Sequence, residues 1–188
     1  MRVIAGSAKG IHLKQPATIT RPTMDRVRAA IFSMLGERVP NAHVLDLFAG
    51  TGGLGIEALS RGVASATFVD NNNKSVEVIR NNLVATRLQG EVKQMDALAY
   101  LGRIAGAFSF DLIFADPPYA DNEGNNLAAS LLKSPHLLSA LAEEGLLILE
   151  CEQKQLLPET PTLEILADRT YGATRILIMR AKKLCKYD

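Results

Sequence analysis

The chain has 188 residues, 47% hydrophobic and 22% charged, with 21 basic and 20 acidic side chains and a net charge of +1. That length favours one domain with a substantial core, and the composition is ordinary for a soluble protein. No run reaches the roughly 18 to 20 apolar residues of a membrane span, and the opening MRVIAGSAKG lacks a signal peptide's apolar segment; a cytoplasmic protein is expected.

Cys151 and Cys185 lie far apart and read as reduced thiols. His12, His43 and His136 are equally scattered, so no metal site is expected. Charge is uneven along the chain. Arg2, Lys9, Lys14, Arg21, Arg26 and Arg28 face a single acid, Asp25, in the first 28 residues. Such an arm can supply phosphate contacts on a neutral body, although charge alone does not separate it from a solvated basic face.

In chain order, Val3–Ala5 and Ile11–Leu13 flank Gly6-Ser7-Ala8-Lys9-Gly10 and predict a small hairpin. A helix follows Arg21-Pro22, with Thr23 as N-cap, Val27, Ala30, Ile31, Met34 and Leu35 at helical spacing, and Gly36 as a stop. From residue 43 strands and helices alternate: HVLDLFAG, LGIEALSRG, SATFVD, KSVEVIRNNLVATRL, EVKQM, ALAYLGRI and FDLIFAD. Within KSVEVIRNNLVATRL the buried face is expected to carry Val76, Ile79, Leu83 and Val84. NLAASLLKSPHLLSAL predicts two helical pieces around Pro135, before strands GLLILE, LEILADR and TRILIMR. Alternation predicts parallel βαβ units. The last two strands are joined by a Tyr171-Gly172 turn, which makes the final strand antiparallel. The expected fold is a doubly wound, mostly parallel α/β sheet with an N-terminal hairpin and helix extension (1–36) on a Rossmann-like core (37–188), forming one domain.

Gly50-Thr51-Gly52-Gly53-Leu54-Gly55 matches G-x-G-x-x-G between a strand and a helix, where glycines allow a tight turn and close approach to a ligand. By itself the motif does not distinguish nicotinamide, flavin and methyl-donor cofactors. Asp70 closes the second strand, about 20 residues on, where a carboxylate meets a ribose hydroxyl. Asp46 precedes the glycines; so close to a pyrophosphate it would be repelled, whereas the ammonium of S-adenosylmethionine would suit it. Holding the loop through backbone hydrogen bonds is its alternative role. Asp96 after the third strand suits an adenine amine, with Ala97 and Leu98 against the ring, or the N-cap of the next helix.

The stretch FDLIFADPPY ends a buried strand in an acid, two prolines and a ring. Ligands of open α/β sheets sit beyond the strands' carboxyl ends. An exocyclic amine on a nucleobase is a poor nucleophile because its lone pair is delocalised. Asp116 and the Pro117 carbonyl can accept its hydrogens and stabilise the charge that develops on nitrogen. Tyr119 offers a stacking face for an extruded base, and the prolines stiffen the arrangement. A strand followed by a proline turn and a solvated acid is the bland alternative.

These residues resemble the amino-methyltransferases with [DNS]-PP-[YF] after the fourth strand. More narrowly, RVIAG at 2–6, RPTMDRVR at 21–28, DLFAGTGGLGIEALSRG at 46–62 and DPPY at 116–119 resemble the bacterial 16S rRNA guanine-N2 methyltransferases of the RsmD type, over essentially the whole chain. The resemblance implies a class I methyltransferase fold with an antiparallel seventh strand. It also implies S-adenosylmethionine as cofactor and methylation of one guanine in 16S rRNA, within the small subunit or its assembly intermediate; a monomer is expected because no extra interaction segment is evident in the sequence. It assigns Asp46, Gly50, Gly52, Asp70, Asp96 and Thr23 to the cofactor, Asp116, Pro117 and Tyr119 to the target base, and Arg21 and Arg26 to RNA. Gly10-Ile11-His12-Leu13 departs from the G-R-K-L of many relatives. The rival readings are an adenine-N6 methyltransferase with the same DPPY chemistry, an assembly factor without activity, and a nicotinamide dehydrogenase on the glycine loop alone.

Overall fold

The computed structural model describes residues 1–15, 22–118 and 126–182. Its helices are α1 (Pro22–Leu35), α2 (Gly53–Ser60), α3 (Asn73–Thr86), α4 (Ala97–Ile104), α5 (Leu127–Lys133) and α6 (Pro135–Ala140). Its strands are β1 (His43–Leu47), β2 (Ser65–Asp70), β3 (Glu91–Gln94), β4 (Phe110–Ala115), β5 (Leu141–Glu152), β6 (Leu163–Tyr171) and β7 (Thr174–Ala181). One seven-stranded sheet runs in the order β3-β2-β1-β4-β5-β7-β6. β1 pairs in parallel with β2 and β4, β4 with β5, and β7 is antiparallel to both of its neighbours. Tyr171 pairs with Thr174, which leaves Gly172-Ala173 as a two-residue turn. Gly172 has φ 62°, as the first central position of a tight hairpin requires. None of the helices among the described residues is long and apolar enough to cross a membrane.

Strand alternation divides the core between the two faces. On one face Val44, Phe68, Phe114, Ile148 and Ile178 pack with Ile31 and Phe32 of α1, Ile56 of α2 and Ile79 of α3. On the other, Leu45, Val69, Ile113, Leu147 and Leu177 pack with Leu101 of α4, Leu131 of α5 and Leu137 of α6. Phe32 and Phe114, 5.6 Å apart between ring centroids, fasten α1 to the middle of the sheet, a contact that contributes about 1 kcal/mol beyond its buried area.

Two local expectations change, the cap of α1 and the burial of Val84, and the hairpin is shorter than a regular strand pair. Around the antiparallel bridge of Arg2 with His12, Val3 donates to the Ile11 carbonyl, Gly10 to Val3 and Leu13 to Met1, while Ile4 and Ala5 donate to Glu57 and Ala8 to Ser60. Helix α1 starts at Pro22, so Thr23 lies inside its first turn and is not the N-cap; proline suits the first helical position because its missing N–H would be unpaired there. Val84 is 78% exposed, because Asn82 and Thr86 occupy the buried face beside Val76, Ile79 and Leu83. The remaining cues hold: α1 ends at Leu35 before Gly36 with φ 51°, and Pro135 starts α6. Strand β5 extends four residues earlier than GLLILE, beginning at Leu141. Cys151 is buried, and burial pushes its thiol up; Cys185 lies outside the described residues.

Candidate active site

The turn from β1 into α2 is tight. Phe48 has φ 56°, Gly50 φ 54° and Gly52 φ 74°, a left-handed run that costs a non-glycine residue such as Phe48 free energy. Two carboxylates hold the turn. The Gly50 amide donates to Asp70 Oδ2 at 2.8 Å, and the Gly55 amide donates to Asp46 Oδ2 at 2.8 Å. Asp70 Oδ1 also accepts from the Asn72 amide at 2.8 Å. Of the two roles open to Asp46, the backbone bond is therefore present. Asp96 caps α4, its Oδ1 accepting from the Ala99 amide at 2.9 Å.

A cleft of about 840 Å³ opens over this turn, lined at one end by Gly50, Asp70, Asn71, Asp96 and Ala97. Its other end is lined by Asp116, Pro118, Leu127, Glu150 and Thr174. Leu98 packs in the core beneath and is not in the lining.

Alternation explains why the acids meet. Asp46 shares a strand face with Val44, Asp70 with Phe68, and Glu150 with Ile148, all toward α1–α3. Asp116 continues the alternation of Leu112 and Phe114 on that face. Because β1 lies between β2 and β4, and β5 beyond β4, four carboxylates converge at the strands' carboxyl ends.

Burial changes the acidity of Asp46, Asp116 and Glu150. Burial pushes the Asp46 carboxyl up to about 8; the Gly55 amide opposes the rise, and the charges of Asp116 and Asp70 add to it. Burial raises Asp116 to about 6. Glu150 rises to about 8, by burial first and then by the charge of Asp116, against a hydrogen bond with the Thr174 side chain. The cleft therefore favours a ligand that brings positive charge or hydrogen-bond donors.

The N-terminal segment closes one wall. Glu57, fully buried in α2, accepts from the amides of Ile4 (2.7 Å) and Ala5 (3.0 Å) and pairs with Arg61 (2.8 Å). Arg28 reaches the same carboxylate at 3.6 Å, bonds Asp25 at 2.9 Å and donates to the Arg2 carbonyl. Asn82 ties the segment to the glycine turn: it bonds both backbone groups of Lys14 and donates to the Thr51 carbonyl at 2.9 Å.

The structure thus brings Asp46, Gly50, Asp70, Asp96 and Asp116 to one cleft, with Gly52 as the N-cap of α2. Pro117 is buried directly after Asp116. Arg21 and Tyr119 lie outside the described residues, and only the backbone of Thr23 is described. Arg26 lines a separate shallow concavity with Arg2 and Lys9. Arg28, counted above with the basic arm, is 4% exposed and committed to carboxylates, so it is no phosphate contact on the surface. Sequence reasoning passed over Glu57, Asn82 and Glu150. Glu57 and Asn82 sit inside helical patterns where charged or amide residues normally face water, and Glu150 is merely the last residue of an apolar strand.

The family described as Conserved hypothetical protein 95 matches residues 1–180. The Bacillus subtilis (strain 168) protein YlbH is 40% identical over 187 residues, 97% of this chain and 100% of its own. The Escherichia coli (strain K12) ribosomal RNA small subunit methyltransferase D is 32% identical, over 86% of this chain and 79% of its own. Among solved structures, yhhF from Escherichia coli superposes with a TM-score of 0.81 at 28% identity, covering 98% of this chain and 99% of that one. The chain belongs to the RsmD-type family of ribosomal RNA small subunit methyltransferases.

Proposed function

We propose that the protein transfers a methyl group from S-adenosylmethionine to the exocyclic N2 amine of a guanine in 16S ribosomal RNA, within the small subunit or its assembly intermediate. The observation that carries this reading is the placement of Asp116, followed by Pro117 and Pro118, beside the carboxylate-held glycine turn in one cleft. The RsmD-type relatives support the RNA substrate.

The residues present fit the cofactor. Asp46, buried and pushed up to about 8, is relieved by an ammonium, whereas a pyrophosphate would add to the negative charge already crowded there. Asp70 and Asp96 border the end of the cleft that takes ribose and adenine. When bound, S-adenosylmethionine supplies an electrophilic methyl group on a sulfonium. The protein's part is orientation and electrostatics. Asp116 and the Pro117 carbonyl accept the two amine hydrogens and turn the nitrogen lone pair out of conjugation. As nitrogen gains the methyl group it becomes positive, and the Asp116 carboxylate stabilises that charge until the nitrogen gives its proton to solvent water. By the family motif, Tyr119 is the stacking partner proposed for the base, and Arg21 and Arg26 are the proposed contacts to RNA phosphates.

The test is methyl transfer from radiolabelled S-adenosylmethionine to purified small ribosomal subunits lacking the modification, with nucleoside analysis of the product. Label as N2-methylguanosine at a single position is expected. Label on adenine N6 would replace this reading with the adenine one, and no label despite cofactor binding would remove it.

A further inference from the structure

We propose that Glu150 is the residue that selects guanine, accepting the hydrogen on ring nitrogen N1 next to the amine held by Asp116; the inference rests on the guanine reading above. Ala115 of β4 pairs with Leu149 of β5, so Asp116 and Glu150 are the next pair in register. Both lie toward α1–α3 and line the same end of the cleft. Neighbouring strands are about 4.8 Å apart, a spacing from which two carboxylates can straddle adjacent donors on one base edge. The Glu150 side chain is steadied by a hydrogen bond with Thr174, at the start of β7.

Among the four bases only guanine presents an exocyclic amine beside a ring N–H. Adenine and cytosine place a lone pair there, which would face the carboxylate, and uracil has no amine. Asp116 alone does not make this distinction, because every exocyclic amine can donate to it. Burial and the neighbouring charge make Glu150 costly to ionise, and an N–H donor arriving at its oxygen offsets that cost. Discrimination is strong when the wrong partner leaves a buried polar group unpaired.

The probe is 2-aminopurine, which keeps the reacting amine but has a lone pair at N1. Small subunits are reassembled from ligated rRNA carrying guanine or 2-aminopurine at the methylated position. kcat/KM is measured above pH 8, where Glu150 is a carboxylate, for the wild type and Glu150→Gln, with cofactor Kd followed by calorimetry. Wild type is expected to prefer guanine by about tenfold or more. Glu150→Gln can donate or accept at the same place, and its preference should fall to within about threefold, with cofactor Kd unchanged within twofold. Taking the ratio within each enzyme cancels a general loss of folding, and comparing the two ratios cancels intrinsic differences between the bases. Equal guanine preference in the two enzymes overturns the role of Glu150 while leaving the guanine reading intact. Wild type inactive on guanine subunits overturns both.

Discussion

The amide of Gly55, in the first turn of α2, donates to the buried carboxylate of Asp46 at 2.8 Å. A Cβ at residue 55 would lie 2.3 Å from Phe68 Cε1 and 3.0 Å from Asp46 Oδ2. Gly55→Ala should therefore lower stability by about 1 to 3 kcal/mol, the usual cost of overpacking, and weaken the cofactor by displacing Asp46. Gly102, inside α4, has its nearest such neighbour 3.5 Å away on His136. Gly102→Ala should be neutral or stabilising by up to about 1 kcal/mol. Urea unfolding of the two variants checks the contrast.

Asp46 carries a pH signature. Its carboxyl rises from 3.8 to about 8 in the folded protein, so between those values the native state binds the extra proton. Its contribution to stability is full below 3.8 and is lost as pH rises toward about 8. Cofactor affinity should move the other way and increase through that range, because an ammonium favours the charged carboxylate. Asp46→Asn keeps an acceptor for Gly55 and should flatten both dependences. Calorimetric titration with S-adenosylmethionine between about pH 5 and 7.5, below the range in which the ligand's own α-ammonium loses its proton, reads this out; an unchanged slope in Asp46→Asn would reject the assignment.

Glu57 is the anchor of the N-terminal segment. Glu57→Ala strands two backbone amides and leaves the buried Arg28 with Asp25 as its one remaining carboxylate partner, a change that costs about 3 to 5 kcal/mol. Chemical denaturation should show that loss, and the amides of Ile4 and Ala5 should lose hydrogen-exchange protection. A cost below about 1 kcal/mol would mean that the segment is held by apolar packing instead.

Asp70 and Asp116 should separate binding from chemistry. Asp70→Ala removes the acceptor for Gly50 and Asn72 and should raise cofactor Kd about tenfold or more. Asp116→Ala should leave Kd within a few-fold and lower kcat by about 10² to 10³, the scale of a lost preorganised group. Equal turnover in Asp116→Ala and wild type would sink its catalytic role.

Period-2 and period-3.6 patterns, with glycine and proline punctuation, were enough to set out the strands, the helices and the terminal hairpin, because each depends on residues adjacent in sequence. Gly50, Gly52, Asp70 and Asp116 were legible for the same reason: each sits at a fixed place relative to the end of its own strand. Tertiary structure decided what crosses between elements. Thr23 looked like a cap until the helix started at Pro22, and Arg28 looked like a surface cation until Glu57, 29 positions along the chain, claimed it in the core. Glu150 is an ordinary strand-end acid in sequence; it joins Asp116 only because β5 pairs with β4 in one register, on one face. Patterns along the chain record which side of an element is buried, but not which distant group it meets, and the electrostatics of this cleft are set by those meetings.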